Sequence, residues 1–336
     1  MLPKKNERLL QKLARLGLAC PLGLAILSLA TSILGAPGLA ATENFPNRPV
    51  RLIVPYSAGA TTDTLARTVG AKLEAAWKQS VIVENLPGAG GIMGAGVAAR
   101  APGDGYTLVI VTASHVILPA VMTRPPFDPI KSFAPITMMV KSPGLLLASK
   151  ASGIESLADM VKRGKQEQLG YGSSGVGSKH HVTMVELSRL AGINSQHISY
   201  RGSAQAMNDV LGGHLQLQMG AFSFGNEFVR KGQVNGIAIV ASKRHPMLPD
   251  VPTLAELGYP LTSGEWWALL APAGTPDAIV DKISKDVAEV LLMPDVKARM
   301  PADDLVPSTP KELTEFLKEE GEMWGGTAKR TGMQID

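Results

Sequence analysis

The chain has 336 residues, 45% hydrophobic and 18% charged, which excludes a disordered chain and leaves room for two domains with a sizeable core. The formal net charge of +4 arises in residues 1–40, where Lys4, Lys5, Arg8, Lys12 and Arg15 face only Glu7. The remainder is neutral and carries no electrostatic footprint for nucleic acid.

From Leu16 to Thr42 no charged residue occurs, and Gly38-Leu39-Ala40 with Ala41 offers small residues for cleavage. Residues 1–40 therefore read as a secretory signal peptide, with an uncleaved anchor as the alternative. The only cysteine, Cys20, lies inside that run, so the mature chain has no disulfide, thiol nucleophile or thiolate metal site.

Beyond the leader, short apolar runs alternate with helical patterns. Val50–Val54, Ser80–Glu84 and Tyr106–Thr112 read as strands, with helices over Thr64–Trp77 and Gly91–Arg100. This βαβαβ order predicts a parallel sheet covered on both faces. The pattern restarts at Leu145–Ala148. Helices follow near Ser156–Arg163, Lys179–Leu190, Ala204–Leu211 and Asn226–Lys231, alternating with strands at Leu169–Tyr171, His197–Tyr200, Leu215–Met219 and Gly236–Ala241. Two α/β lobes result. Trp266–Leu270 is a further strand. One closing helix starts with Thr275 as N-cap and Pro276 in its first turn; the other starts with the capping box Thr309–Glu312.

Three loops run from a strand into a helix through small or hydroxylated residues. The first holds Tyr56, Ser57, Ala58, Ala60, Thr61, Thr62 and Asp63; the second Ser173, Ser174, Gly177 and Ser178; the third Arg201 between Tyr200 and Gly202. Each directs free backbone N–H groups and a positive helix end at one place, which suits an anion. Asp63 and Ser178 also read as plain N-caps. The second loop, YGSSGVGSKHH, misses the phosphate-binding G-x-x-x-x-G-K-[ST] pattern by one place, because Ser178 precedes Lys179. Lys179 is expected to point to solvent. Gly94–Ala99 matches G-x-G-x-x-A inside a helix, not at a strand–helix turn, so no dinucleotide cofactor is expected. His180 and His181, adjacent on a helix, point about 100° apart and make a poor metal pair. Ser178 and His181 lack a nucleophile elbow, which leaves a cleft hydrolase as the weaker alternative.

The segments VRLIVPYSAGATTDTLAR, VIVENLPGAGGIMGAG, PGDGYTLVI, YGSSGVGSKHH, YRGSAQAMNDVLGGHLQLQ, SKRHPMLPDVPTLAELGYP and WWALLAPAGTP occur in this order. From Phe45 onward the chain resembles the Bug family, the extracytoplasmic solute receptors of tripartite tricarboxylate transporters. The resemblance implies a two-lobed, type II periplasmic-binding-protein fold of the Venus-flytrap kind. Lobe 1 would comprise 43–145 plus 268–336, and lobe 2 146–267. It implies a periplasmic, non-enzymatic, monomeric receptor without cofactor. Such a receptor takes a small carboxylate through Tyr56–Asp63, Ser173–Ser178 and His181, and hands it to membrane permease subunits or to a signalling protein. Ser114, His115, Arg201 and Gly220 complete the expected ligand set. Three departures stand out: Ala60 and Thr61 replace usual glycines, Leu118 replaces a frequent asparagine, and Gly220 stands where some amino-acid binders carry aspartate. They lean toward a bulkier, less polar carboxylate, aromatic included.

Overall fold

The computed structural model describes residues 45–59, 61–200, 202–300 and 302–333. The expected signal peptide lies outside them. The first α/β run forms as read: β1 Val50–Val54, α1 Thr61–Trp77, β2 Val81–Asn85, α2 Ile92–Ala99 and β3 Thr107–Thr112. Strand β1 pairs parallel with both β2 and β3. Two elements follow that the sequence did not mark, α3 Ser114–Val121 and β4 Phe133–Ser142. Each carries a proline, Pro119 inside the helix and Pro135 inside the strand. Proline demotes both patterns because it donates no hydrogen bond. The register of the neighbouring strand slips opposite Pro135, between Leu269 and Leu270.

The chain then leaves the first sheet. The second run comprises β5 Gly144–Ser149, α4 Leu157–Gly164, β6 Leu169–Ser173, α5 Lys179–Ala191 and β7 Ser195–Ser199. It continues through α6 Ser203–Leu211, β8 Leu217–Ala221, α7 Phe222–Arg230 and β9 Val234–Val240. It returns through β10 Glu265–Pro272, followed by α8 Asp277–Leu291, α9 Pro294–Arg299, β11 Asp304–Leu305 and α10 Pro310–Arg330.

Neither sheet is wholly parallel, contrary to the expectation from the βαβ pattern. The first has the order β11-β4-β10-β3-β1-β2, with β10 antiparallel to β3 and β4. The second has the order β7-β6-β8-β5-β9, with β5 antiparallel to β8 and β9. The crossings are the cause. A chain that leaves the carboxyl end of one sheet enters the facing sheet from its carboxyl edge and must run against it. Both crossings therefore lie at the strand ends where open α/β sheets hold ligands. Pairing sets their limits: Gly144 and Leu145 already face Ala221 and Gly220, and Glu265 to Trp267 already face Ser142 to Val140. A Cβ on Gly264 would lie 2.9 Å from Gly144 N and closer still to Ser142 O, so the two crossings touch backbone to backbone.

The capping box forms, with Thr309 Oγ1 accepting Glu312 N–H and Glu312 accepting Thr309 N–H. Thr275 does not cap α8. Its hydroxyl donates to Pro272 O at 2.8 Å, and Pro276 takes the cap position, its fixed φ already suited to a helix start.

Candidate functional site

The first loop is held from below by Asp63. This residue sits inside α1, one turn past a simple cap, and is 4% exposed. Its carboxylate accepts Gly59 N–H at 2.9 Å, Arg67 Nε at 3.0 Å and Asn85 Nδ2 at 2.9 Å. Burial alone would raise its pKa; the bonds from Arg67, Gly59 and Asn85 win and hold it below the usual carboxylate range. Thr62 is also structural, accepting Trp267 Nε1 at 2.8 Å. The Tyr56 hydroxyl lies 2.7 Å from Thr112 Oγ1, tying the first loop to the end of β3. That leaves Ser57, Ala58, Gly59 and Thr61 exposed on the loop.

The second loop is organised by its own hydroxyls. Ser173 Oγ accepts Gly175 N–H at 3.2 Å and lies 2.7 Å from His197 Nε2. The Ser178 hydroxyl donates to Gly175 O at 2.8 Å and accepts His181 N–H at 3.2 Å, capping α5. Ser174 Oγ lies 3.4 Å from His180 Nδ1. Gly175 and Gly177 have φ of 137° and 70°, in the region that favours glycine. The hydroxyls of Ser173 and Ser178, expected as ligand donors, are thus committed within the loop. Among the described residues, no acceptor meets the backbone N–H groups of Ser174, Val176, Lys179 or His180. They cluster at the positive end of a 13-residue helix.

His181 stands beneath this cluster. Gly177 N–H donates to its Nδ1 at 3.1 Å, which places the ring proton on Nε2. Its ring stacks on His197 with centroids 3.7 Å apart. Burial, then the neighbouring imidazole, push His181 down to about 3; burial pushes His197 down to about 4. Both rings are neutral near pH 7, so His181 offers an N–H rather than a charge.

One expected residue, His115, sits in the core. His115 packs between Phe127 and Phe133, with Nε2 2.8 Å from Pro129 O and 4% exposure. It completes the first lobe's core. Ser114, 4% exposed, opens α3, and its hydroxyl meets that of Tyr56 on the first loop. Gly220 is a buried β8 residue opposite Leu145, where a Cβ would meet only Gln218 Nε2 at 3.5 Å. Ala60 and Arg201 lie outside the described residues.

Lys179 overturns its expectation. It is not solvated but 0% exposed, its ammonium 3.0 Å from Glu320 Oε2, 3.0 Å from Ser263 Oγ and 3.7 Å above the Trp324 ring. Glu320 also accepts Trp266 Nε1 at 2.8 Å and Trp324 Nε1 at 3.3 Å. Helix α5 belongs to the second lobe, α10 packs on the first, and the pair joins them directly behind the second loop. Burial lowers Lys179 to about 8 against the pull of Glu320. The nearby Glu265 is raised to about 7 by burial, while accepting the N–H groups of Ala113 and Trp266. Sequence reasoning missed Glu320, although it falls on the apolar stripe Leu313, Leu317, Glu320, Trp324, where a lone acid signals a buried partner. It also missed His197, two places before the strand end at Ser199.

A cavity of about 410 Å³ lies between the lobes, lined by Gly59 and Thr61 on one side and by α7 on the other. A larger groove of about 790 Å³ runs between α3 and α10 on the first lobe, away from the three loops. The exposed first loop on its wall favours the interlobe cavity over the larger groove.

Residues 65–333 match the family described as Tripartite tricarboxylate transporter family receptor. Protein BugT of Bordetella pertussis (strain Tohama I) is 29% identical over 320 residues, spanning 93% of this chain and 98% of that protein. The solved structure of the periplasmic binding protein BugD is 30% identical and superposes with a TM-score of 0.80 over 87% of this chain and 100% of its own. That of R. palustris Rpa4515 with adipate is also 30% identical, with a TM-score of 0.80 over 86% and 98%. The two sheets and their paired crossings form the two-lobed α/β fold of periplasmic binding proteins, and the chain belongs to the tripartite tricarboxylate transporter family of receptors.

Proposed function

We propose that the protein captures a small carboxylate between its lobes in the periplasm and, acting as a monomer, delivers it to the permease subunits of a tripartite transporter. The carrying observation is the group of unclaimed N–H donors of Ser174, Val176, Lys179 and His180 at the start of α5. A carboxylate needs such donors and neither magnesium nor a phosphate-gripping lysine. The neutral His181 Nε2–H adds a fifth donor, and the exposed Ser57–Gly59 stretch closes from the other lobe. The adipate in Rpa4515 supports a carboxylate as the ligand class.

A hydrolytic role lacks support. The Ser178 proton goes to Gly175 O and the His181 nitrogen nearest the loop accepts from Gly177, so His181 is no base for Ser178, while Ser173, 2.7 Å from His197 Nε2, is fully buried from any substrate.

The test is a thermal-shift screen of di-, tri- and aromatic carboxylates on the mature chain, followed by calorimetry on Ser178→Ala. A binding carboxylate raises the melting temperature by mass action. Loss of the Ser178 cap costs about 0.5–2 kcal/mol of local order, so affinity should fall about tenfold. If no carboxylate shifts the transition, the proposal is wrong.

A further inference from the structure

The return crossing gathers three buried ionisable groups. Glu265 follows Gly264, the glycine at which the two crossings touch, and is 6% exposed. Its Oε1 accepts the N–H groups of Ala113 and Trp266, each at 3.2 Å. Among the described residues nothing donates to its other oxygen, Oε2, which is not sealed from solvent. Two places earlier, Ser263 Oγ accepts from the Lys179 ammonium and donates to Glu320 Oε1, both at 3.0 Å. The first lobe thus supplies two carboxyls, Glu265 on β10 and Glu320 on α10, and the second lobe one ammonium, Lys179 on α5. Glu320 touches that ammonium and has three further side-chain donors. Glu265 has neither.

Two carboxylates around one cation leave a negative charge in excess where water is scarce. A proton on Glu265 relieves it with the least loss, because its oxygen Oε2 has no bond to give up. Burial raises Glu265 to about 7; the N–H bonds of Ala113 and Trp266 and the Lys179 ammonium pull against it, and Glu320 adds to it. The other ionisable groups on the surrounding elements are engaged elsewhere. The Tyr56 hydroxyl is raised, chiefly by burial, and keeps its proton. Lys141 on β4 lies over the Phe316 ring at 4.6 Å, and His115 on α3 meets Pro129 O. Asp63 on α1 is held by Arg67, and Asp303 by the Ser142 and Ser223 hydroxyls. Strand β3 and helix α2 bring no charged side chain. Opening the lobes withdraws Lys179 with α5 and lets water reach Glu265, which returns toward the ordinary carboxylate value.

We infer that Glu265 is a proton-uptake site at the crossing: the lobes take up a proton on its carboxyl as they close, which couples ligand capture to protonation. The link to the ligand runs through Lys179, whose backbone N–H belongs to the unclaimed donor group and whose ammonium belongs to the cluster. Only this link rests on the carboxylate capture proposed above. The closed form binds the extra proton below about pH 7 and the open form only near pH 4.3, so closure is favoured as pH falls from 7.5 to 5.5 and loses that advantage as pH rises through about 7. Lys179, lowered to about 8, titrates above this window.

The test compares the mature wild type with Glu265→Gln, which keeps the acceptor for Ala113 and Trp266 and cannot ionise. Calorimetry with adipate at pH 6.5, in two buffers of different ionisation enthalpy, should show the wild type taking up about 0.7 proton more per adipate than the variant. Protons exchanged by the histidines or by adipate itself are common to both chains and cancel in the difference. At pH 7.5 the variant should bind adipate at least tenfold tighter. Without ligand, small-angle scattering should show the wild type shrinking relative to the variant between pH 7.5 and 5.5. Equal proton uptake by the two chains overturns the site and leaves carboxylate capture standing, and so do equal radii of the two chains at both pH values. If adipate binds neither chain while the radii still diverge with pH, the proton site stands and the capture reading fails for that carboxylate.

Discussion

Replacing Lys179 by methionine keeps the length of the side chain and removes its ammonium. In the native fold that ammonium is 0% exposed and faces Glu320, itself 4% exposed, at 3.0 Å. The substitution strands a buried carboxylate with only the neutral donors of Ser263, Trp266 and Trp324. Breaking a buried pair from one side costs about 3–5 kcal/mol, because the surviving charge is left without a counter-ion in a poorly solvated site. A chain of this size loses about 2 °C of melting temperature per kcal/mol. Circular dichroism at neutral pH should therefore show a fall of about 6–10 °C. The double variant Lys179→Met with Glu320→Leu should recover part of the loss, since no charge remains buried and the volume stays filled. Carboxylate affinity of the single variant should also fall, because the second loop is anchored through the helix that Lys179 starts. A melting temperature within 2 °C of wild type, or single losses that simply add in the double variant, would show that the pair does not hold the lobes.

Three further outcomes follow from the geometry. Gly264→Ala should destabilise the protein by about 1–3 kcal/mol in urea titration, because its Cβ overlaps the outgoing crossing; an unchanged midpoint would mean that the crossings part easily. Acid should destabilise the fold well before carboxylate titration completes. His115 and His180 are lowered to about 4 by burial, and His181 and His197 to about 3 and about 4, so below their ordinary value near 6.5 the unfolded chain binds protons that the folded chain refuses. Their contribution is full above about pH 6.5 and is lost toward about pH 4, up to about 3 kcal/mol each for His115 and His180; constant urea midpoints from pH 7.5 to 4.5 would refute it. Finally, ligand that bridges the lobes should shift them toward the closed form, so small-angle scattering should give a smaller radius of gyration with saturating adipate, and an identical radius would count against hinge closure.

The sequence by itself determined the alternation of elements, because burial periodicity and turn chemistry are local properties. Helix α1, strand β3 and the Thr309 capping box arise where their residues placed them. It also determined that the loop at Ser173–Ser178 presents backbone donors, since its glycines and the Ser178 cap act within a few residues. Tertiary structure alone decided what those loops are fastened to. Strand direction depends on which sheet a strand joins, so β5 and β10 run antiparallel where the βαβ pattern predicts parallel neighbours. His115 reads as a site residue until Phe127 and Phe133 close around it. Lys179 reads as a solvated cation because its counter-charge, Glu320, lies 141 residues away. Gly59 and Ser223 line one cavity only because α7 of one lobe faces the first loop of the other. Local order follows from neighbouring residues, whereas pairing between distant charges and acceptors depends on the path that brings them together, which no short window of sequence contains.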